Sequence, residues 1–371
     1  MAALRWDVFC RVVDNYGDAG VCWRLARQLA AEHALDATLW IDRLATLARF
    51  EPAIDACAAT QAAAGVTVRR LDDAAPPPDL PAVVIEAFGC GLPARYLETM
   101  AAREAPPLWL NLEYLSAEPW VEAVHAMASP QPRLALTRYF WFPGFTPHTG
   151  GLIREAGLLE ARDAWRARET RSRPGEALRI VLFCYPNRAL PALFDAWAES
   201  DEPVACTIPD GVATAALDLW LHGDVPHAGQ SVARGRLALH VAPFASQDAF
   251  DRLLWGADVA FVRGEDSFVR AQWAARPFVW QPYPQEENAH RLKLDAFLAR
   301  YAADLDAAAN QALTAFWQAF NDEDGVRAAA AWPAFRAAFD ALGAHGGRWA
   351  DQLAALPELA AGLVAFAARR L

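Results

Sequence analysis

The sequence lacks several features that would assign it to common protein classes. It has no stretch of about twenty uncharged apolar residues, and its amino terminus lacks a basic region followed by an apolar one. We therefore expect a cytoplasmic protein with no membrane partner. The six cysteines form no C-x-x-C pair and share no metal-ligand spacing with the eight histidines. This favours reduced thiols in the core over a disulfide framework or a zinc site.

Positive charge is also scarce. The 34 lysine and arginine residues, nearly all of them arginine, are outnumbered by 45 acidic residues, and the formal net charge is −11. Binding to a nucleic-acid backbone depends on clustered basic side chains, so we expect no nucleic-acid partner. The acidic balance fits a basic partner better, and it also serves solubility.

The length of 371 residues exceeds what one hydrophobic core usually organises, and 54% hydrophobic residues can fill two cores. In both halves, β-rich apolar runs alternate with helical patterns, which predicts parallel sheets with right-handed crossovers. A charged, arginine-rich segment separates the two series, so we predict one domain over residues 1–172 and a second over residues 173–349. The carboxyl-terminal helix, residues 350–371, is predicted to pack back on the first domain. The predicted strands are residues 6–13, 37–41, 66–70, 82–86, 108–112, 134–137, 179–184, 204–208, 237–241, 259–262 and 277–280.

The second series contains the most informative stretch of the chain, where an apolar strand ends in a glycine turn with two carboxylates and a hydroxyl. Glu265, Asp266 and Ser267 follow the strand predicted at residues 259–262 and precede a helix predicted at residues 268–275. Ligands of open α/β sheets bind at the carboxyl ends of strands, where the free N–H groups of helix amino termini favour anions. Ser267 is predicted to cap the helix. The alternative is that Asp266 and Ser267 only cap a helix and that Glu265 is a solvated neighbour.

A similar pattern of strand, turn and helix occurs near the amino terminus. The strand predicted at residues 6–13 is followed by a polar turn with two glycines, Gly17 and Gly20, and then by a helical pattern over residues 21–29. The glycines would let the backbone approach a ligand closely, but the glycine spacing of the dinucleotide fingerprint is absent. A nicotinamide cofactor is therefore not indicated.

Aromatic and amide side chains also follow strands of the second series, at the ends where ligands bind. They are Phe183, Tyr185, Phe244, Gln247 and Tyr283. Aromatic rings there can sandwich a base, and an amide can read the edge of a pyrimidine. Two doubly wound domains facing each other across a cleft would form the glycosyltransferase-B architecture in outline, with the second domain holding a nucleotide sugar. The alternative is that Phe183, Tyr185 and Phe244 are rim packing.

Two long segments carry a resemblance to a known family. Residues 6–29, and residues 261–273 together with residues 282–285, closely resemble the bacterial protein-arginine rhamnosyltransferases of elongation factor P. The resemblance implies an α/β fold of two doubly wound Rossmann-like domains facing across a cleft, the glycosyltransferase-B fold. It also implies an inverting, metal-independent enzyme that moves L-rhamnose from dTDP-β-L-rhamnose onto one arginine side chain of elongation factor P. The modified factor then relieves ribosome stalling at proline runs. No cofactor beyond the donor substrate is implied.

The same resemblance assigns roles to the residues that match the family motifs. Asp18 would be the catalytic carboxylate beside the acceptor, Asp14 would support it, and Glu265 would be the third essential acid. The nucleotide-sugar pocket would be lined by Asn15, Tyr16, Gly17, Phe183, Tyr185, Phe244, Gln247, Glu265, Asp266, Ser267 and Tyr283.

The charge of the leaving diphosphate is expected to be met without a metal ion. Backbone N–H groups near Ser267 and Gly17 are the expected partners, with Arg263 or Arg270 adding positive charge. The Asp-x-Asp pattern occurs only in the helical tail, at residues 304–306 and 322–324. Solvated helix faces are the expected role of these carboxylates, so no divalent-metal requirement is predicted.

Two other functions stay open at the level of the sequence. The first is another nucleotide-sugar transferase or an epimerase of the same fold, which would differ in the donor that it turns over. The second is a non-catalytic protein that binds a nucleotide sugar without turnover. Loss of transfer with retained dTDP binding in Asp18→Asn would favour the rhamnosyltransferase over a protein that only binds.

Overall fold

A computed structural model describes residues 4–72, 79–172, 177–285 and 289–371. The chain divides into two compact units. Unit 1 comprises the chain up to Ala156 together with Leu353–Leu371, and unit 2 comprises Gly157–Gln352. Each unit is an α/β layer structure with its own sheet, as the alternation of apolar runs and helical patterns predicts.

Unit 1 contains a sheet of eight strands. They are β1 (Arg5–Cys10), β2 (Asp36–Ile41), β3 (Thr60–Ala63), β4 (Val66–Arg70), β5 (Val83–Ala87), β6 (Leu108–Leu112), β7 (Ala128–Gln131) and β8 (Leu136–Trp141). Its helices are α1 (Asn15–His33), α2 (Leu44–Phe50), α3 (Ala94–Ala101), α4 (Trp120–Val124) and, from the carboxyl-terminal segment, α14 (Leu359–Ala368). The strand order is β3-β4-β2-β1-β5-β6-β8-β7. All neighbours are parallel except the edge pairs β3–β4 and β7–β8.

The centre of this sheet explains where its site can form. Strands β5 and β6 are buried along their whole length and β1 is buried from Trp6 onward, as is typical of parallel strands at the centre of a sheet. Strand β1 ends at Cys10, earlier than the predicted end at residue 13, and the backbone N–H of Val12 donates to Asp42 Oδ1 instead of a strand partner (2.9 Å). The parallel order places the carboxyl ends of β1, β5 and β6 side by side.

Unit 2 contains a sheet of six strands. They are β9 (Leu178–Leu182), β10 (Val204–Pro209), β11 (Ser231–Arg234), β12 (Leu237–Ala242), β13 (Val259–Arg263) and β14 (Phe278–Gln281). Its helices are α5 (Leu158–Ser172), α6 (Leu190–Ala198), α7 (Thr214–Leu221), α8 (Gln247–Gly256), α9 (Asp266–Trp273), α10 (Ala289–Tyr301), α11 (Ala307–Asn321), α12 (Gly325–Ala337) and α13 (Phe339–Ala354). The strand order is β11-β12-β10-β9-β13-β14, and only β11 is antiparallel to its neighbour among the described strands.

The boundary between the units differs from the predicted one. It falls after Ala156 and not after residue 172, because helix α5 packs in unit 2. Arg162 Nη1 donates to the carbonyl of Trp273 (2.8 Å), and Arg166 donates to the carbonyls of Trp255 and Ala274. The arginine-rich composition of this segment therefore supplies cations to the carboxyl ends of α8 and α9, where helix carbonyls lack partners.

The carboxyl-terminal segment belongs to unit 1 from Leu353 onward, three residues after the predicted start. The backbone N–H of Leu359 donates to the carbonyl of Leu152 (3.0 Å), and Leu363 and Phe366 of α14 are buried. By length and composition alone, Phe339–Ala368 could cross a membrane. This stretch consists of two helices, α13 and α14, which lie mainly in different units and are separated by a non-helical break before α14.

Candidate active site

The first cluster of polar side chains lies where β1 leads into α1. Asp18 Oδ2 accepts hydrogen bonds from the backbone N–H groups of Val13 (2.7 Å) and Asp14 (2.8 Å). The carboxylate thus folds back on the start of its own helix and satisfies N–H groups that have no partner within the helix. Only 2% of Asp18 is exposed.

Burial raises the pKa of Asp18 above the usual value for an aspartate, and the negative charge of Asp42 acts in the same direction. Hydrogen bonds from Val13, Asp14 and Tyr114 lower this pKa, but the cost of desolvating the charged carboxylate is the larger effect. A carboxylate with a raised pKa takes up a proton more readily. This is the property that a general base needs near neutral pH.

The Asp14 side chain leaves no room for a side chain at position 17. Asp14 occupies the position before α1 and is 7% exposed, and its carbonyl accepts from the N–H of Gly17 (2.7 Å). A Cβ atom on residue 17 would lie 2.5 Å from Asp14 Oδ2, so any larger residue would displace this carboxylate. Tyr16 is half-buried in the first turn of the helix, and Asn15 begins it. The side chain of Asn15 lies outside the described part of the structure.

Two aromatic residues that were not predicted from the sequence extend this cluster. Tyr114, which follows β6, donates its hydroxyl to Asp18 Oδ1 (3.4 Å). Phe88, which follows β5, stacks on the Tyr114 ring with 4.4 Å between ring centroids and 13° between planes. Because the carboxyl ends of neighbouring parallel strands meet at one edge, the ends of β5 and β6 could have been predicted to lie beside the turn after β1.

The second cluster lies in unit 2, where β13 leads into α9. Gly264 has φ +56°, a left-handed conformation that favours glycine. Its N–H donates to the carbonyl of Gln281 (3.1 Å), and its carbonyl accepts from Trp280 Nε1 (2.8 Å), so the turn is fastened to β14. Glu265 occupies the position before the helix and is half-buried.

The prediction that Ser267 caps the helix after β13 is wrong. Helix α9 begins at Asp266, two residues earlier than predicted, so Ser267 lies inside the first turn and not at the cap position. Ser267 Oγ donates to the carbonyl of Arg263 (2.5 Å) and accepts from the N–H of the same residue (3.0 Å). Its hydroxyl therefore closes the turn between β13 and α9.

Arg263 connects the turn to the end of β9. Its guanidinium carbon lies 4.5 Å from the ring centroid of Phe183 and 4.8 Å from that of Tyr185, and Nη1 donates to the carbonyl of Cys184 (3.1 Å). The Tyr185 ring also meets Tyr283 edge to face, with 5.6 Å between centroids. Tyr283 is 41% exposed. The structure thus brings Phe183 and Tyr185 together around one guanidinium, with Tyr283 packed on Tyr185.

Gln247 and Asp266 join the amino termini of two helices. Gln247 begins α8, is buried, and donates from Nε2 to Asp266 Oδ2 at the start of α9 (3.4 Å). The preceding Ser246 caps α8 by accepting from the N–H of Ala249 (3.3 Å). Phe244 is half-buried in the loop between β12 and α8. Two helix amino termini, each a favourable place for negative charge, therefore meet at this contact.

Arg270, the other arginine expected to add charge near the diphosphate, is paired with a buried aspartate. Its Nε and Nη2 atoms donate to the two carboxylate oxygens of Asp251 (2.9 and 2.6 Å), and both side chains are buried. A guanidinium held this way links α9 to α8, and the Asp251 carboxylate balances its charge. Of the two arginines considered for the diphosphate, Arg263 is the one at the turn.

The two Asp-x-Asp patterns are used at helix ends. Asp306 caps α11 by accepting from the N–H of Ala309 (2.9 Å), and Asp324 caps α12 by accepting from the N–H of Arg327 (3.0 Å). Asp322 forms ion pairs with Arg291 and Arg327. Over the described ranges of the chain, no group of three or more His, Cys, Asp or Glu side chains is arranged to hold a metal ion.

Comparison with known proteins identifies the family. The sequence pattern of EarP, the elongation factor P (EF-P) rhamnosyltransferase, matches residues 6–368. The chain belongs to the EarP family. It is 49% identical to the protein-arginine rhamnosyltransferase of Pseudomonas putida and 45% identical to that of Pseudomonas aeruginosa, in each case over 97% of this chain and 98% of the relative. The resemblance of residues 6–29 and 261–273 to this family is confirmed.

Solved structures agree with the assignment to EarP. A structure that describes EarP-mediated arginine glycosylation of EF-P superposes with a TM-score of 0.69 at 37% identity, covering 99% of this chain and 100% of the other. MurG of Acinetobacter baumannii gives a TM-score of 0.51 at 14% identity, which shows the fold alone. The prediction of an α/β fold of the glycosyltransferase-B class is confirmed.

Proposed function

We propose that this chain is an inverting, metal-independent protein-arginine rhamnosyltransferase. It moves L-rhamnose from dTDP-β-L-rhamnose onto one arginine side chain of elongation factor P, which then relieves ribosomes stalled at proline runs. Membership of the EarP family supports the reaction class. The observation that carries the proposal is the Asp18 carboxylate at the amino terminus of α1. It is buried, and this burial raises its pKa.

The acceptor is a difficult nucleophile. A guanidinium has a pKa of roughly 13 and a delocalised lone pair, so an exposed carboxylate cannot remove its proton outright. A carboxylate in a closed site can instead hold the guanidinium by charge-assisted hydrogen bonds, aim one nitrogen at the anomeric carbon and accept the proton as the bond forms. We assign this role to Asp18, with Asp14 supporting it.

The transfer is a single displacement. A terminal nitrogen of the acceptor arginine forms a bond to C1 of rhamnose while the bond from C1 to the diphosphate oxygen breaks, and the diphosphate leaves with the electron pair. The proton of the attacking nitrogen passes to Asp18 Oδ1, because Oδ2 already accepts two backbone hydrogen bonds. Attack from the face opposite the diphosphate inverts the configuration at C1.

The donor would bind in unit 2. Phe183, Tyr185 and Phe244 offer aromatic faces for the thymine ring, and Gln247 offers an amide for its polar edge. The amino terminus of α9, with the N–H groups after Glu265, suits the diphosphate, and Arg263 adds positive charge beside it. These contacts supply charge for the leaving group without a metal ion.

Glu265 would not bind the diphosphate, because a carboxylate beside it would repel it. We assign Glu265 to a sugar hydroxyl, the deoxyribose or the acceptor guanidinium, all of which can donate hydrogen bonds to it. Its half-buried place before α9 leaves it close to the turn that would hold the donor.

The proposal is tested by intact-mass analysis of elongation factor P after incubation with the purified chain and dTDP-rhamnose. The expected result is one added deoxyhexose, located on an arginine by fragmentation. Turnover of a UDP-hexose with no reaction of dTDP-rhamnose would contradict the proposal and favour another transferase or an epimerase. Binding of dTDP without any turnover would favour a non-catalytic protein.

The same assay tests how the acceptor is recognised. We expect a folded domain of the factor to be required, since a site for one arginine needs a wider surface to select it among many. Rates on the intact factor and on a peptide spanning its acceptor loop should differ strongly. Equal efficiency on both would refute this expectation.

A further inference from the structure

The backbone of Phe88 is unusual for a large side chain. Its φ is +57°, in the left-handed region that bulky residues seldom adopt. The conformation is held by the bond from its N–H to the carbonyl of Leu112 (2.6 Å), at the end of the neighbouring strand β6. Gly89 and Gly91 also have positive φ, so the chain turns sharply after β5. Such conformations concentrate at functional sites, where the surrounding structure holds them in place.

This turn places the Phe88 ring against Tyr114. The two rings are nearly parallel, at 13°, with 4.4 Å between centroids, and both residues are half-buried. The opposite end of Tyr114 reaches Asp18, because its hydroxyl donates to Oδ1 (3.4 Å). The backbone N–H groups of Val13 and Asp14 hold Oδ2. The two oxygens of Asp18 are therefore held from two different parts of unit 1.

We propose that Tyr114 is a positioning residue for the Asp18 carboxylate, and that Phe88 holds the Tyr114 ring in place for this purpose. The inference rests on the proposed function, in which Asp18 Oδ1 accepts the proton of the acceptor guanidinium. A carboxylate held only through Oδ2 could rotate Oδ1 away from the attacking nitrogen. The hydroxyl of Tyr114 fixes that rotation, and it favours the ionised carboxylate that the base must be before it reacts.

The groups around Asp18 determine how the Tyr114 hydroxyl changes the pKa of this carboxylate. Asp42 lies in the loop after β2, Cys10 ends β1, and Cys22 lies in α1; their side chains share the region around Asp18. Asp14 lies four residues before Asp18. All of these groups are neutral or negative, and Asp42 raises the pKa of Asp18. Tyr114 donates a hydrogen bond to the carboxylate and lowers the same pKa. Removing its hydroxyl should therefore make Asp18 titrate at higher pH.

The test uses Tyr114→Phe in the full chain, with dTDP-rhamnose and intact elongation factor P as substrates. The ring and its stacking stay and only the hydroxyl is lost. We expect kcat to fall roughly tenfold, as for loss of a hydrogen bond to a charged group. The KM values of both substrates should stay within about twofold, because the residue acts on the base and not on binding. The acidic limb of the kcat profile should move to higher pH.

Tyr96→Phe is the matched control. Tyr96 Oη donates to Asp7 Oδ2 (2.8 Å), so this variant also removes a bond from a tyrosine hydroxyl to a buried aspartate of unit 1. It should lower the melting temperature and leave the acidic limb unchanged. Phe88→Leu removes the stacking partner and should shift kcat and the acidic limb in the same direction as Tyr114→Phe. It provides a second variant if loss of the Tyr114 hydroxyl impairs folding.

The outcomes separate this inference from the proposed function. If the unaltered chain transfers no sugar to elongation factor P, the proposed function fails. If the unaltered chain is active but Tyr114→Phe has the same kcat and the same pH profile, only the positioning role fails. A change in the acceptor KM at unchanged kcat would also overturn it, because Tyr114 would then bind the acceptor. The positioning role would also be overturned if the acidic limb shifted as much in Tyr96→Phe as in Tyr114→Phe.

Discussion

Asp18 Oδ2 lies 2.8 Å from the backbone nitrogen of Asp14, four residues earlier in the chain, and accepts its hydrogen bond. This contact ties the proposed base to the first turn of α1, at the carboxyl end of the central strand β1. The helix start therefore fixes one oxygen of the carboxylate, while the other faces Tyr114. Because Asp18 is buried, its charged form is less stable than that of an exposed aspartate.

The pH dependence of transfer follows from this burial. The base accepts a proton only when it is ionised, so kcat falls as the pH decreases through the pKa of Asp18. That pKa is raised, so the fall should begin at higher pH than for an exposed aspartate, whose pKa is about 3.9. The measurement is kcat against pH at saturating substrates, with dTDP affinity followed in parallel. A rate that stays constant down to the pH where exposed aspartates titrate would contradict the assignment.

Gly17→Ala should impair transfer by displacing Asp14. The new Cβ would lie 2.5 Å from Asp14 Oδ2, so the carboxylate must shift. We expect kcat to fall roughly ten- to hundredfold, because small misplacements at a reacting centre cause losses of this size. Gly347→Ala is the matched control, because nothing lies within 4 Å of a Cβ at this position of α13. It should leave transfer unchanged and stabilise the protein by about 0.5–1 kcal/mol.

Arg263→Lys should weaken donor binding while keeping the positive charge. A lysine cannot stack a planar guanidinium over Phe183 and Tyr185. We expect the Kd for dTDP, measured by calorimetry, to rise about tenfold. Arg188→Lys serves as the control, since Arg188 is an exposed residue that pairs with Glu323. Equal Kd values for both variants would show that the Arg263 guanidinium does not organise the donor site.

Arg270→Met should destabilise the protein without a direct effect on chemistry. The substitution removes the bidentate partner of the buried Asp251 carboxylate, which costs about 3–5 kcal/mol. The double variant Arg270→Met with Asp251→Leu should recover most of this loss, because no buried charge is left. Thermal unfolding of the three proteins provides the measurement. If the double variant were as stable as the original chain but did not bind the donor, Arg270 would instead belong to the donor site.

Parallel strands such as β5, β6, β9 and β13 could be predicted from the sequence because they are buried along nearly their whole length and appear as short apolar runs. The edge strands β3, β7 and β11 were not predicted. They are four residues long, partly exposed and antiparallel to their neighbours, so they lack that pattern. The domain boundary was misplaced because an arginine-rich helix, α5, has the composition of a linker, whereas its arginines bind helix carbonyls in unit 2.

The site could be predicted where its residues are close in the chain. The turns after β1 and β13 are visible as polar stretches between a strand and a helix. The contacts of Ser267 and Arg270 could not be predicted. That of Ser267 depends on where α9 begins, and that of Arg270 depends on Asp251, nineteen residues away. Tyr114 contacts Asp18, and Phe88 contacts Tyr114, because β1, β5 and β6 are neighbours in the sheet. These contacts could be predicted only by assuming that strand order, since neither residue lies in a polar turn next to Asp18 in the sequence.

The role of Asp18 as the base is tested most directly by single-turnover transfer from dTDP-rhamnose to elongation factor P by Asp18→Asn. An asparagine keeps the shape of the side chain but cannot accept the proton. We expect dTDP to bind with unchanged affinity and transfer to fall by roughly a thousandfold, within the range for loss of a general base. A transfer rate close to that of the unaltered chain would contradict this role of Asp18.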